Sequence, residues 1–500
     1  VPRDVAGIAV VVSALLLFGF AYRQFRRERD LSALLLIAGA GFLLRAFTAG
    51  DLFLHSWDER YHALVAKNLA HHPWLPTLYE HPLLTYDFRS WGHNHIWLHK
   101  QPLTLWLMAL SMKCLGFNEI ALRLPSVLLS TLAIGFTYHI GRDIGGRRVG
   151  LLAAFLHAIH GLLIELPSGR VPTDHISTVF IVMVEAGILV VFRSREWNPW
   201  TSALAIGSVT GLAALAQSPA SLVILVVWIP FLRARSSRFR LEHSGTVLVA
   251  VLAAAWVYVP WQVYIGRAFP EEAAWEALYN VRHLTEVLEG HGGGPLYYVT
   301  RIPEYFGEIS YLPLGWFFYT LVRQKRDPSR IALALWFLAP LVFFSLAASK
   351  GVRYVMITAP AVFMMVSLFW WHVRDRWLTA RRWRFAGILV LVLLVGLPAR
   401  FCIERVKPIG GPQWHAEWAQ SFRKMGREFQ GTRAVVFNTR RPIELMFYSS
   451  LVAYPQIPTE AEIGICRQQG YGVLLLDDGD LPKRITAHPN VVVLPRHSTP

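Results

Sequence analysis

A chain of 500 residues that is 54% hydrophobic and only 16% charged, with mean hydropathy +0.37, is too apolar for an ordinary soluble protein of several domains. It reads as a polytopic membrane protein. The net charge of +16 does not point to nucleic acid, since the arginines fall in short clusters between apolar runs, and three scattered cysteines, Cys114, Cys402 and Cys466, are too few for a disulfide framework or a cysteine-based metal site.

Runs able to cross roughly 30 Å of hydrocarbon, about 20 residues each with some shorter, are predicted near 5–22, 31–49, 123–141, 149–167, 175–192, 200–216, 219–232, 244–264, 304–322, 331–348, 353–372 and 385–402. The first is followed by Arg23, Arg26, Arg27 and Arg29 and not by a small-residue cleavage site, so it is expected to be a retained helix. Between the second and third, Gln101 to Gly116 is apolar but short, with Pro102 in its first turn and Lys113 inside it. Reading it as an interfacial helix puts every basic cluster on one side of the membrane. Those clusters are Arg23–Arg29, Arg142 with Arg147 and Arg148, Arg193 with Arg195, Arg233–Arg240, Arg323–Arg330 and Arg374–Arg384, and their side is taken as cytoplasmic.

Both termini then face outward with the loops 50–122, 170–174, 266–303 and 349–354. After Cys402 the hydropathy falls. A helix is predicted over Trp414–Phe429, a strand over Ala434–Thr439, a helix over Pro442–Ser450, a helix over Glu460–Gln469 capped by Thr459, and strands over Gly472–Leu476 and Val491–Leu494. The expected organisation is a membrane unit of about 12 helices over 1–402, with its first outer loop over about 50–122 carrying interfacial helices and the chemistry, and a small extracytoplasmic α/β unit over 403–500. That second unit carries no glycine-rich phosphate loop, which leaves it support or acceptor contact.

The polar residues most in need of a function lie in the outward loops. Asp58 and Glu59 form an acidic pair just past the second span, where a carboxylate beside hydrocarbon is costly and is read first as functional. On a helix they point about 100° apart, so one is expected to act and the other to support. Asp174, in Arg170-Val171-Pro172-Thr173-Asp174-His175, is a second outward acid, and either position offers a general base for a hydroxyl. Lys100, Arg123, Lys350 and Arg353 are cations suited to a phosphate, while Arg60, Tyr61, His99, Arg170 and Tyr354 are further candidates for substrate contact. The competing account is interfacial ion pairing and snorkelling to headgroups. Eight histidines from His55 to His99 match no zinc signature, so no metal is expected to be required, and Trp57, Trp74, Tyr79, Tyr86, Trp91 and Trp97 suit either an interfacial belt or a sugar face.

Taken in order, Asp58-Glu59, Ala63-x-x-Ala66-x-Asn68-Leu69, His99-Lys100-Gln101-Pro102-Leu103, Gly116-x-x-Glu119, Arg123-Leu124-Pro125-Ser126, Gly146-Arg147-Arg148-x-Gly150 and Asp174 resemble the protein O-mannosyltransferase superfamily, whose bacterial branch includes the lipid A aminoarabinose transferase. The resemblance covers about the first 190 residues well and the remaining membrane part loosely. It implies the GT-C fold and an inverting glycosyltransferase that moves a sugar from a polyprenyl-phosphate carrier to a hydroxyl on a lipid, polysaccharide or protein at the outer face of the inner membrane, with no cofactor and no nucleic acid. It further implies Asp58 as catalytic carboxylate with Glu59 supporting it, Lys100 and Arg123 at the donor phosphate, and Asp174 as second acid. Two departures stand out: His99-Lys100-Gln101-Pro102 where the branch often has Glu-Lys-Pro-Pro, and Gln217-Ser218-Pro219 where it commonly has Lys-Gly-Pro. From another class, a transporter or flippase of a lipid-linked sugar would need ionisable groups or broken helices near the midplane, and commonly repeated halves; the ionisable residues here gather at one face.

Overall fold

The structure is a computed structural model that describes residues 1–500 except 173, 236–240, 324–326, 352, 478, 480 and 496–500. Parts of the expected Arg233–Arg240 and Arg323–Arg330 clusters and of the 349–354 loop lie outside the described residues.

Among the described residues, nine helices are long and apolar enough to cross a membrane. The first two, α1 (Arg3–Arg26) and α2 (Asp30–Thr48), match the expected spans and pack against each other. The outer loop then folds into α3 (Asp58–His71) and α4 (Pro102–Leu115). At about 1.5 Å per residue α4 is only about 21 Å long, too short to span the hydrocarbon.

Next comes α5 (Glu119–Ala158), a 40-residue element that bends at Gly145 and Gly146. Gly146 has φ 81, a left-handed conformation that a side chain resists. The bend folds the second arm onto the first, where a Cβ on Gly150 would sit 2.5 Å from the Tyr138 carbonyl oxygen. The predicted span 123–141 is thus the first arm, while the predicted span 149–167 is divided: the second arm ends at Ala158, and Gly161–Glu165 and Leu166–Ser168 are separate short helices. At the bend Arg147 pairs with Asp30 (Nη2 to Oδ1, 2.7 Å), tying α5 to the start of α2.

Further helices cover Asp174–Arg193, Pro199–Ala216, Val223–Arg235, Leu241–Ala268, Pro328–Leu346, Ala359–His372 and Arg384–Val406. The expected span 304–322 is broken into Ile302–Phe306 and Tyr311–Arg323 by Gly307 at φ 98. The loop 266–303, which carried no assignment, contains a helix at Pro270–Thr285 opening with proline and two glutamates.

The boundary expected at residue 402 falls inside the helix Arg384–Val406. Beyond it, strands β1 (Ala434–Phe437), β2 (Val452–Ala453), β3 (Gly472–Asp477) and β4 (Val491–Pro495) form one parallel sheet in the order β2-β1-β3-β4. The two-residue β2 is too short to have left a periodic signal. Thr459 caps the helix Glu460–Gln468 in a reciprocal box with Glu462. The apolar core of this unit is continuous with that of the outer loop: Leu54, Val65, Leu69, Tyr79 and Trp97 share one cluster with Phe422, Val436, Phe447 and Leu475.

Candidate active site

The site is built on the first turn of α3. Glu59 is fully buried and is grasped by Arg123, with Nε 2.6 Å from Oε1 and Nη2 2.9 Å from Oε2. The His55 amide donates to Oε2 at 2.7 Å, and His175 Nε2 lies 3.2 Å from Oε1. Burial alone would raise the pKa of Glu59, but the charge of Arg123 and the hydrogen bonds outweigh it and hold the carboxyl well below the usual range. The other three N–H groups of Arg123 reach the carbonyls of Ala49 (2.9 Å), Asp51 and Phe53 (2.7 Å).

A guanidinium has five N–H donors, and Arg123 places all five on the protein. None is left for a phosphate. The expectation for Arg123 is corrected accordingly: it ties Glu59 and the 49–53 loop to the N-terminal end of α5. Lys350 is corrected on the same ground. Its three ammonium donors are directed at the carbonyls of Phe344 (3.2 Å), Ser345 (2.6 Å) and Ala347, closing the end of the helix Pro328–Leu346.

Three other candidates are also turned toward protein partners. Arg170 holds the buried Asp51 (Nε to Oδ2, 2.9 Å), an acid the sequence reading had passed over. Burial would raise the pKa of Asp51, but the hydrogen bond from His55 and the charges of Arg170, His55 and Arg123 pull it below the ordinary carboxylate value. Arg60 points to the C-terminal unit, 3.6 Å from Glu444 Oε1, and donates to the Tyr61 hydroxyl at 3.1 Å. His99 Nδ1 lies 2.7 Å from Glu276 Oε2 on the helix Pro270–Thr285, joining the two outer loops.

A second set remains turned toward one another. Asp58 is half-buried on α3 and lies within electrostatic range of Tyr354. Tyr61, one turn on, meets the edge of Trp91 at 6.2 Å, and Trp91 carries the Lys100 ammonium over its ring at 4.4 Å and stacks on His99 at 4.6 Å. Asp174 is fully buried at the start of the helix Asp174–Arg193; its Oδ1 takes the His175 amide and lies 3.0 Å from His62 Nδ1, while Oδ2 has no partner among the described residues. Arg353 interacts electrostatically with Asp174, reaches the Pro172 carbonyl at 3.5 Å and keeps its buried Nε without a hydrogen bond among the described residues. Tyr305, also coupled to Arg353, accepts through its carbonyl from His160, which lines an apolar slot with Leu156, Phe306, Phe363 and Leu394.

His62 and His175 were not singled out from the sequence. Their signals were available: His62 follows Glu59 by one helical turn and so shares its face, and His175 adjoins Asp174.

A bent helical bundle with its acidic site at one end, covered by helices of two loops and a parallel-sheet unit, is the GT-C class of membrane protein. ArnT from Cupriavidus metallidurans in the apo state has this fold, with a TM-score of 0.60 at 14% identity over 89% of this chain and 86% of that one. So does the oligosaccharyltransferase AglB from Archaeoglobus fulgidus, with a TM-score of 0.58 at 14% identity over 86% of this chain and 65% of that one. Within this class, residues 99–264 match the dolichyl-phosphate-mannose-protein mannosyltransferase family model. The undecaprenyl phosphate-alpha-4-amino-4-deoxy-L-arabinose arabinosyl transferase 1 of Pseudomonas fluorescens is 24% identical over 323 residues, 61% of this chain and 54% of that protein. The chain spans about half the length of the curated relatives it matches.

Proposed function

We propose that the protein is an inverting glycosyltransferase that moves a sugar from a polyprenyl-phosphate carrier to a hydroxyl acceptor in the envelope, working at the outer face of the inner membrane. The observation that carries this reading is the division of labour on α3. Glu59 is fully buried and held by Arg123 and His175, and Asp58, turned about 100° from it on the same turn, is only half-buried. In the proposed reaction Asp58 takes the acceptor proton as the oxygen attacks the anomeric carbon. The bond from that carbon to the phosphate oxygen breaks, and polyprenyl phosphate leaves with the bonding pair.

Lys100 and Arg353 are the cations whose remaining donors suit the phosphate, and stabilising charge on the leaving group is where such donors act. Asp174 acts as the second acid, aligned by His62. One of the solved relatives by fold is described as bound to undecaprenyl phosphate. The acceptor is a hydroxyl of a lipid, a polysaccharide or a protein.

The test is transfer in liposomes from a panel of polyprenyl-phosphate sugars, comparing the intact protein with Asp58→Asn after both are shown to fold. Release of free polyprenyl phosphate only by the intact protein supports the reading and identifies the donor. Labelled lipid crossing the bilayer equally in both proteins, with no donor consumed, makes the protein a transporter instead.

A further inference from the structure

The face of α3 opposite Asp58 is bound to the C-terminal unit. Arg60 and Lys67 are seven residues apart, almost two full turns, and so project within about 20° of each other, while Asp58 projects about 200° away from Arg60. Lys67 Nζ donates to the carbonyls of Met446 (2.7 Å), Phe447 (3.0 Å) and Ser449 (2.7 Å), at the C-terminal end of the helix Pro442–Tyr448. At the other end of that short helix Glu444, fully buried, stands between Arg60 (3.6 Å) and Arg441 (3.4 Å). The two helices therefore lie side by side in the same direction, clasped at both ends.

The same unit also holds the chain entering α3. Tyr448 takes the Leu54 amide on its hydroxyl at 3.0 Å, Arg423 donates to the Leu52 carbonyl at 2.9 Å, and both side chains reach the buried Glu119 at the start of α5. These links from the unit to the acidic turn are polar and directional, and they stand beside the apolar core that the two share.

We propose that the C-terminal sheet unit is a positioning device for the catalytic turn: Lys67 and Glu444 fix the height and rotation of α3, and thereby where the Asp58 carboxylate stands relative to the donor. This rests on the transferase reading above. Neither residue touches substrate; each acts through α3. Since a displacement of about 1 Å at a reacting group costs on the order of 100-fold in rate, loosening the clasp lowers turnover without weakening donor binding.

The experiment uses the full chain in liposomes with Lys67→Gln, Lys67→Arg and Glu444→Gln. Two readouts are taken: turnover against donor concentration, and hydrogen exchange of the amides over residues 55–60. The expected result is kcat lowered about 10- to 100-fold in Lys67→Gln and Glu444→Gln with donor KM changed less than about twofold, recovery in Lys67→Arg, and faster exchange confined to 55–60. Unchanged kcat and unchanged exchange overturn the proposal, as does a fall in kcat that Lys67→Arg fails to restore. If Lys67→Gln does not fold, Glu444→Gln decides alone. If the intact protein consumes no polyprenyl-phosphate sugar, the transferase reading fails, and the exchange data still decide whether these residues hold the turn.

Discussion

Replacing Glu59 by glutamine separates the two acids of α3. Glutamine keeps the volume and one acceptor oxygen but turns an N–H pair toward Arg123 where Oε2 accepted a bond at 2.9 Å. One charge-assisted hydrogen bond, worth about 1.5–3 kcal/mol, is lost, and a guanidinium that is 1% exposed is left without its counter-ion. Breaking a buried pair in this way costs about 3–5 kcal/mol in all. Domains of 150–250 residues shift their midpoint by about 2–4 °C per kcal/mol; halving that for a chain twice as long gives a fall of about 3–10 °C. The assay is thermal unfolding of the purified protein in detergent, with transfer measured well below the midpoint. Asp58→Asn is expected to abolish transfer in a protein that still folds, as judged by a cooperative unfolding transition in the same assay. A Glu59→Gln protein with an unshifted midpoint and no turnover would refute the assignment of Glu59 to structure and make it the chemical group.

Arg353→Gln is expected to weaken donor binding by about 10- to 150-fold, the loss of one charge-assisted bond of about 1.5–3 kcal/mol to phosphate, read as a rise in donor KM. Asp51 has a folded-state pKa below its unfolded value of about 3.9, so its contribution is complete above that value and is lost as pH falls through the folded one. The midpoint difference between the intact protein and Asp51→Asn should therefore hold constant from pH 7 to 5 and shrink below about pH 4. Burial lowers the Lys67 ammonium to about 8, with Glu80 opposing the shift. Turnover should decline as pH rises through that value and one of the three donated bonds is lost, and Lys67→Arg should keep its rate there. Gly146→Ala places a side chain at φ 81, costing about 1–2 kcal/mol; an unchanged midpoint would mean that α5 does not need its bend.

Most of the spans, the short helix α4 and most of the C-terminal elements were legible because hydropathy and capping are local properties of the chain. Thr459 with Glu462 marked a helix start at a spacing of three residues, and Pro102 marked another. The fate of a cation is different. Arg123 and Lys350 look like phosphate ligands in sequence, and what removes them from that role is a set of backbone carbonyls brought in by folding, which no side-chain pattern announces. Asp51 carries no motif, and its importance arises only where Arg170, more than one hundred positions away, is folded against it. Lys67 looks like a solvated residue in sequence until the end of the helix Pro442–Tyr448 is placed over it.

The saturation of Glu59 and Lys67 also sets an order of events during synthesis. Glu59 is made 64 residues before Arg123 and 116 before His175, and Lys67 leaves the ribosome 379 residues ahead of the Met446 carbonyl that receives it. At about 5–20 residues per second, the lysine waits roughly 20–75 s for its acceptor. Throughout that interval the outer loop carries unsatisfied charge and an open apolar core, so the last hundred residues act as a seal, and a chain that stalls before them presents the membrane's quality control with an unfinished loop.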